Sequence, residues 1–208
     1  MSAEPVVHII DDDPAARDSL AFLLEAADLT VKAYASAIHF LDAYAEVDGG
    51  CIITDVRMPE MTGLELVRHL KDKGSTLPII VITGHGDVPL AVEAMRAGVI
   101  DFIEKPFDDE VLLKALRAAL SREHGLGDHA AEQRLVAGRL ASLSMRERQV
   151  LNGLVAGQAN KVVALELGIS PRTVEVYRAN LMTKMQAASL SELVRMALIA
   201  ERRGLGDI

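Results

Sequence analysis

Five short apolar runs, each followed by a segment with helical spacing, are the feature of this 208-residue sequence that most constrains its fold. The runs Val6–Ile10, Cys51–Thr54 and Ile79–Thr83 are apolar almost throughout, as expected of strands buried on both faces. Two more runs, Thr30–Ala35 and Asp101–Glu104, are also predicted to be strands. Because strands and helices alternate, we predict an α/β domain with a doubly wound, five-stranded parallel sheet.

The segments between these strands predict five helices. Asp13 and Pro14 combine a capping residue with a proline, which suits the start of the first helix. Apolar residues recur at helical spacing in the segments Ala16–Ala27, Ala37–Tyr44, Thr62–Lys73, Val88–Ala97 and Asp108–Arg122.

Polar side chains follow four of the strands, at the point where each apolar run stops. They are Asp11 and Asp12, Asp55, Thr83 and Lys105. The carboxyl ends of parallel strands meet at one edge of a sheet, where ligands bind in open α/β folds. Each residue alone could be a helix cap or part of a turn. Their joint placement instead predicts one shared site.

The chemistry of this site follows from its residue types. Three carboxylates placed together repel one another, and Mg²⁺ relieves that repulsion because it binds a few carboxylates, keeps waters and accepts phosphoryl oxygens. An Asp carboxylate can attack phosphorus and form an acyl phosphate. Lys105 would place a cation at the phosphoryl oxygens, and Thr83 would donate a hydroxyl hydrogen bond to them.

The segments VHIIDDD, TDVRMPEMTGLEL, VITGHGD and DFIEKPF occur in this order within residues 5–122 and closely resemble the response-regulator receiver family. The resemblance implies a flavodoxin-like fold and phosphorylation of Asp55 by a sensor histidine kinase. It also implies that Asp11, Asp12 and Asp55 bind Mg²⁺ together with the backbone carbonyl of Arg57.

The same resemblance assigns the phosphate-responsive positions of the family to Thr83, Phe102 and Lys105. Phe102 has no hydroxyl group, unlike the Tyr of some relatives, so packing alone would drive a change of its rotamer. Phosphorylation is expected to pull Thr83 inward and to let Phe102 repack. The altered face is expected to form a homodimer contact that includes Val88, Val92 and Arg96.

The C-terminal part of the chain has a different pattern and a different charge. Glycines and charges in residues 123–129 interrupt the alternation, which predicts a linker over 123–137 between domains at 1–122 and 138–208. The net charge is −8, yet Lys and Arg outnumber Asp and Glu after residue 123. This asymmetry favours a polyanionic partner for the second domain.

After Leu143 the strand signals stop, and an all-α, four-helix domain is predicted. Its helices are expected at Met145–Ala156, Lys161–Leu167, Pro171–Met185 and Leu190–Glu201. The second and third form a helix-turn-helix with Gly168 in the turn, a unit that can place its second helix in the major groove of DNA. The first helix of this pair is expected to make its core contacts through Val162, Val163, Leu165 and Leu167. A helical dimerisation module is the alternative.

Residues 138–203 strongly resemble the LuxR/NarL-type DNA-binding domain, mainly in LSMRERQVLNGLVAGQANKVVALELGISPRTVEVYRANLMTKM. The resemblance implies that Pro171–Met185 is the recognition helix and that a dimer binds promoter DNA. Glu175 stands where many relatives have Lys, which suggests that it accepts a hydrogen bond from cytosine N4. The candidate DNA contacts are Asn160, Lys161, Arg172, Thr173, Glu175, Val176, Arg178 and Lys184.

The segments VITGHGDVP, AVEAM, SPRTVEV and LVRMAL resemble the nitrogen-fixation regulators of this family. That resemblance implies an oxygen-sensing histidine kinase, nitrogen-fixation or microaerobic target genes, and RNA polymerase as a partner. No charged leader or apolar run of about 20 residues is present, so we expect a cytoplasmic protein without a membrane partner.

Two other functions fit parts of the sequence. An enzyme that transfers phosphoryl groups from small molecules would need an acid–base carboxylate two residues after its nucleophile, and position 57 is Arg. We therefore do not expect an enzyme. A receiver that acts only through protein partners is the other alternative, and a mobility-shift assay with promoter DNA separates it from a DNA-binding regulator.

Overall fold

The computed structural model describes residues 5–84, 87–122 and 129–201. The chain divides into two compact units. One comprises Met1–His85 and Ala97–Gly125, and the other comprises Gly86–Arg96 and Leu126–Ile208.

The first unit contains a five-stranded sheet in which every neighbouring pair is parallel. Its strand order is β2-β1-β3-β4-β5. The strands are β1 (Val6–Ile10), β2 (Thr30–Tyr34), β3 (Cys51–Asp55), β4 (Ile79–Thr83) and β5 (Asp101–Glu104). The strand order reverses between β1 and β3, and ligands of open α/β sheets bind at such a point.

Ten α-helices are found in the described part of the chain, and a 3-10 turn occupies Tyr44–Glu46. The first unit holds α1 (Pro14–Glu25), α2 (Ala37–Ala43), α3 (Gly63–Asp72) and α5 (Asp109–Arg122). The second holds α4 (Val88–Arg96), α6 (His129–Ala141), α7 (Met145–Val155), α8 (Asn160–Leu167), α9 (Pro171–Met185) and α10 (Leu190–Glu201).

Helices cover both faces of the sheet. Leu24 of α1 and Leu116 of α5 join the core on the face where Val7 of β1 points. His8, the next residue of β1, points to the opposite face, and its ring centroid lies 5.7 Å from that of Phe40 in α2. The doubly wound fold predicted from strand–helix alternation is thereby confirmed.

Local sequence signals fix several helix starts. The side chain of Asp13 accepts a hydrogen bond from the Ala15 amide at the start of α1, and Ser170 accepts one from the Thr173 amide at the start of α9. Both caps precede a proline, which needs no backbone donor at the first helical position. Gly168 ends α8 with φ = 65°, a left-handed conformation that favours glycine.

The second unit has an apolar core of its own. Val150 and Leu154 of α7, Val174 and Leu181 of α9, and Val194 of α10 are fully buried. Residues at this spacing form one stripe along each helix. The predicted all-α domain with a helix-turn-helix is therefore present.

The predicted core face of α8 is wrong at two positions. Val163 is buried, but Val162 is 43% exposed and Leu165 is 83% exposed. Successive residues of a helix are rotated by about 100°, so the four predicted residues cannot all face the same neighbouring helix. The buried residues of α8 are Val163 and Ala164. The apolar composition of this short helix does not reveal which side is covered.

Candidate phosphoacceptor site and nucleic-acid interface

The polar residues predicted at the strand ends do meet at one edge of the sheet. Asp55 is the last residue of β3 and Thr83 the last residue of β4, while Asp11 and Lys105 directly follow β1 and β5. Thr83 is buried, and its carbonyl accepts a hydrogen bond from the Lys105 amide at 2.8 Å. The sheet register therefore brings distant parts of the sequence into one site.

Lys105 joins two of the carboxylates. Its Nζ atom lies 3.0 Å from Oδ2 of Asp11 and 3.2 Å from Oδ1 of Asp55. The side chains of Asp11 and Asp55 are only 4% and 12% exposed, whereas that of Lys105 is 29% exposed. A cation thus bridges two nearly buried acids at the opening of the site.

The loop that carries Asp11 is held by further hydrogen bonds. Nη1 of Arg17 donates to the carbonyl oxygen of Asp11 at 2.7 Å, and the Asp13 amide donates to Oδ1 of Asp11 at 3.0 Å. Asp12 is exposed beside them. Asp11 therefore uses both carboxylate oxygens and its backbone carbonyl within the first unit.

Two backbone contacts hold Asp55. The amide of Arg57 donates to Oδ2 of Asp55 at 2.6 Å. Gly63 packs against the peptide of Asp55, because a Cβ atom at Gly63 would lie 2.0 Å from the Asp55 carbonyl oxygen. The Gly63 amide also donates to the carbonyl oxygen of Val56 at 2.9 Å. The start of α3 thus fixes the backbone of the segment that carries Asp55.

The ionisation of the site reflects its burial. Burial raises the pKa of Asp55, and the Arg57 amide and the Lys105 cation only partly offset this effect. Burial alone would lower the pKa of Lys105, but hydrogen bonds and charge from Asp11 and Asp55 raise it above its usual value. Lys105 is therefore protonated at neutral pH.

The donor set suits Mg²⁺ better than a metal that needs a complete protein cage. Among the described residues, no three His, Cys, Asp or Glu side chains converge into one metal-binding group. Mg²⁺ does not require such a group, because it is commonly held by one or two carboxylates, waters and phosphoryl oxygens. Asp11 and Asp55, which share Lys105, fit that description.

Thr83 and Phe102 lie on the same face of the sheet. Phe102 pairs with Val81 in the β4–β5 register, and Val81 is two residues before Thr83. Side chains two residues apart on a strand share a face. Phe102 is 8% exposed, so any movement requires repacking. This face is opposite the one covered by α1 and α5.

The residues predicted at the dimer contact lie on α4. Val88 and Val92 are buried, at 7% and 3% exposure, whereas the Arg96 side chain is 53% exposed. A dimer contact through the two valines requires a conformation that exposes them.

The candidate DNA contacts all lie on α8 and α9. Lys161, Arg172, Glu175 and Val176 are exposed, while Asn160 is half-buried. Thr173 and Arg178 are half-buried as well, and Lys184 is exposed.

Four of these polar residues are bonded to one another in two pairs. Arg172 and Glu175 form an ion pair of 3.0 Å one turn apart on α9, with side chains 86% and 52% exposed. Nη1 of Arg178 donates to Oδ1 of Asn160 at 3.2 Å, which ties α9 to α8. The ion pair is open to solvent, and such pairs are weak enough to exchange partners.

Lys184 has a different environment from the other candidates. Its Nζ atom lies 2.8 Å from Oε2 of Glu147, whose side chain is 5% exposed. Oε2 of Glu147 also accepts hydrogen bonds from the amide and hydroxyl of Ser144, which form a capping box at the start of α7. The Lys184 hydrogen bond and the Ser144 amide lower the pKa of Glu147 to about 2. Lys184 thus has a structural role that the sequence did not indicate.

Three residues that build these sites were not predicted. Arg17 and Gly63 support the acidic site through the backbone, and no side-chain pattern marks them. Glu147 could have been found, because Ser-x-x-Glu before an apolar segment is a capping-box signature.

Comparisons with known proteins identify the family of the chain. Residues 7–117 match the response regulator receiver domain, and residues 141–197 match the bacterial regulatory proteins of the luxR family. The chain belongs to the response regulators in which a receiver is joined to a LuxR-family DNA-binding domain. It is a phosphorylation-activated transcriptional regulator with a kinase partner and a DNA target, as the sequence predicts.

Relatives match over almost the full length. The transcriptional regulatory protein FixJ of Azorhizobium caulinodans is 60% identical over 93% of this chain and 92% of its own length. FixJ of Bradyrhizobium diazoefficiens is 52% identical over 96% and 98%. The crystal structure of full-length FixJ from B. japonicum has a TM-score of 0.57 at 51% identity, and covers 97% of this chain and 99% of its own.

One further property concerns membranes. Within the described ranges, no helix combines the length and apolar character needed to cross a bilayer.

Proposed function

We propose that Asp55 is the phosphoacceptor, that Asp11 helps to hold Mg²⁺ and that Lys105 binds the phosphoryl oxygens. The observation that carries this proposal is the position of Lys105 Nζ between the carboxylates of Asp11 and Asp55. An oxygen of Asp55 attacks the phosphorus of a phosphohistidine, the phosphorus–nitrogen bond breaks, and the histidine nitrogen leaves. The Lys105 ammonium group would then donate a hydrogen bond to an oxygen of the transferred phosphoryl group.

Mg²⁺ is the proposed cofactor of this step. Asp11, Asp12, Asp55 and the carbonyl of Arg57 would hold it, and it would neutralise charge on the phosphoryl oxygens. The chain itself positions the acceptor, because the Arg57 amide and the start of α3 fix Asp55 from the backbone side.

The proposed switch links Thr83 to Phe102. Both residues lie on one face of the sheet. Thr83 is the last residue of β4 and is therefore next to the acidic site. Phosphate on Asp55 draws the Thr83 hydroxyl toward it, and Phe102 repacks. The α4 surface with Val88, Val92 and Arg96 then becomes available for a homodimer. Beryllofluoride with Mg²⁺ should raise the sedimentation coefficient of the full chain to that of a dimer, and an unchanged monomer contradicts the switch.

The proposed output is sequence-specific binding of double-stranded promoter DNA by α9. Lys161, Arg172, Glu175 and Val176 are exposed together on α8 and α9, and Asn160, Thr173, Arg178 and Lys184 are the further candidates. Arg172 can leave Glu175 for guanine, and Glu175 can then accept from cytosine N4.

The biological setting is proposed from the printed names of the relatives. Three FixJ proteins are 52–60% identical to this chain. We infer a FixL-like, oxygen-sensing histidine kinase, RNA polymerase as the target of activation, and nitrogen-fixation or microaerobic genes as targets, in the cytoplasm.

A direct experiment tests the output. The full chain, phosphorylated in the presence of Mg²⁺, is used to select binding sites from random-sequence duplexes, and mobility shifts are then measured at stated salt. Enrichment of a partly palindromic site supports the proposal. Phosphorylated protein that enriches no sequence indicates a receiver acting through protein partners alone.

A further inference from the structure

Arg139 of α6 contacts the C-terminal end of α9, the proposed recognition helix. Its Nη1 atom donates to the carbonyl oxygen of Met185 at 2.9 Å, and its Nη2 atom donates to Oε1 of Gln186 at 2.6 Å. Met185 is the last residue of α9, and Gln186 caps it in a left-handed conformation with φ = 50°. One guanidinium group therefore binds both residues at which the helix ends.

This contact completes the helix end. The amides of Gln186 and Ala187 already donate to the carbonyls of Thr183 and Met182. The carbonyl of Met185 lies beyond these bonds, and Arg139 supplies its donor. A cation at the C-terminus of a helix also interacts favourably with the partial negative charge there.

The helix α6 is itself fixed to the rest of the unit. Val136 and Leu140 are buried, at 3% and 5% exposure. Arg148 of α7 donates from Nη2 to the carbonyl of Leu140 at 2.7 Å and from Nε to that of Leu143 at 3.4 Å. Displacement of α6 would therefore break contacts with α7 as well as with α9.

A third contact closes a ring of links among α6, α7 and α9. Lys184, one residue before the end of α9, pairs with the buried carboxylate of Glu147 in α7. The C-terminal end of α9 is thus held by α6 through Arg139 and by α7 through Lys184.

The match with the luxR family begins at residue 141, so Arg139 lies outside it. We propose that Arg139 is a positioning residue for DNA binding, and that α6 is a working part of the DNA-binding unit rather than a passive connection. This proposal rests on the proposed DNA-binding role of α9. Base contacts are made at the N-terminal end of a recognition helix. A helix whose C-terminal end can tilt loses the register of those contacts, while its charge stays the same.

The test uses the phosphorylated full chain, the duplex selected by the wild-type protein, and a scrambled duplex of equal length. In Arg139→Gln, affinity for the selected duplex should fall by roughly tenfold, as expected for loss of a charged hydrogen-bond pair. Affinity for the scrambled duplex should not change. The affinity of Arg139→Lys for the selected duplex should lie between those of the wild type and Arg139→Gln, because a lysine keeps the charge but cannot form both hydrogen bonds.

Salt dependence distinguishes positioning from a direct DNA contact. A residue that neutralises one phosphate contributes about one unit to the slope of log K against log salt concentration. The slope of Arg139→Gln should therefore equal that of the wild type. A slope reduced by about one unit would overturn the proposal, because Arg139 would then be a phosphate contact.

Control variants keep the result interpretable. Arg146→Gln removes the same charge from the same unit at an exposed residue of α7, and should leave the preference for the selected duplex intact. In Gln186→Gly, glycine still tolerates the left-handed conformation but the Oε1 acceptor is removed. Its affinity for the selected duplex should fall by less than that of Arg139→Gln. If Arg139→Gln does not fold, Arg139→Lys and Gln186→Gly test the positioning role of Arg139.

The outcomes separate this inference from the proposed function. Unchanged discrimination in every folded variant overturns the role of Arg139 while wild-type DNA binding stands. Failure of the wild-type protein to discriminate between the two duplexes overturns both.

Discussion

The Nζ atom of Lys105 lies 3.2 Å from Oδ1 of Asp55, a residue 50 positions earlier in the chain. It lies 3.0 Å from Asp11 as well, 94 positions earlier. One cation therefore stabilises two acids that would otherwise repel each other in a nearly buried site. A divalent cation bound between these acids would take over part of that charge compensation.

Lys105→Met tests this relationship. The variant leaves two nearly buried carboxylates without their cation, so the free energy of unfolding of the first unit should fall by about 1–3 kcal/mol without Mg²⁺. Added Mg²⁺ should then raise the melting temperature more in Lys105→Met than in the wild type. Thermal denaturation with and without Mg²⁺ measures both effects.

Lys114→Met is the matched control for this prediction, because Lys114 is an exposed residue of α5. Its response to Mg²⁺ should equal that of the wild type. Equal responses in all three proteins would show that Lys105 and Mg²⁺ do not act on the same carboxylates.

Asp55→Asn should abolish phosphorylation, because an amide oxygen is a poor nucleophile toward phosphorus. Incorporation of phosphate from a histidine kinase or from acetyl phosphate, measured by intact-protein mass spectrometry, should fall to background. Asp18→Asn, at an exposed position on α1, should incorporate phosphate normally. Wild-type levels in Asp55→Asn would place the acceptor elsewhere.

Gly63→Ala should destabilise the first unit and perturb the backbone of Asp55. The added Cβ would lie 2.0 Å from the Asp55 carbonyl oxygen and 3.0 Å from Oγ1 of Thr54. Relief of this overlap requires a backbone shift, which typically costs about 1–3 kcal/mol. Denaturant unfolding gives the loss of stability, and the rate of phosphorylation by acetyl phosphate should fall with it.

Gly138→Ala provides the contrast within a helix. A Cβ at Gly138 meets nothing within 4 Å, so alanine should stabilise α6 by about 0.5–1 kcal/mol. Equal effects of the two substitutions would indicate that helix propensity, and not the contact with Asp55, governs Gly63.

Glu147 should make the stability of the second unit depend on acidic pH. Its pKa is lowered from 4.5 to about 2 in the folded chain. A group with a depressed folded pKa stabilises the fold above its unfolded pKa, and this contribution is lost as pH falls through the folded value. The loss should therefore occur as pH falls from 4.5 towards 2.

Glu147→Gln should remove that pH dependence. At neutral pH the variant should lose about 1–3 kcal/mol, since Lys184 is left with a weaker partner but can still reach solvent. Amide hydrogen exchange of α7 and α9 reports the second unit by itself. A wild-type carboxyl resonance of Glu147 that titrates near 4.5 would contradict the assigned pairing.

The local patterns of the sequence predicted most of the secondary structure and much of the acidic site. Strand and helix periodicity depends on neighbours within a few residues, so β1 to β5 and the cap at Asp13 follow from local sequence. Parallel pairing then sends every strand end to one edge, and this rule is sufficient to bring Asp11, Asp55 and Lys105 together.

Tertiary packing decided the contacts that local patterns do not encode. The exposure of Leu165, the pairing of Lys184 with Glu147 and the contact of Arg139 with Met185 each depend on how separate helices meet. Arg139 and Met185 are 46 residues apart, and no period or cap signal connects them. Local sequence patterns were therefore sufficient for the element order, the family and the residues at the sheet edge. The contacts that fix the C-terminal end of α9 arise only from the packing of α6, α7 and α9, because a long-range hydrogen bond requires the positions of both helices.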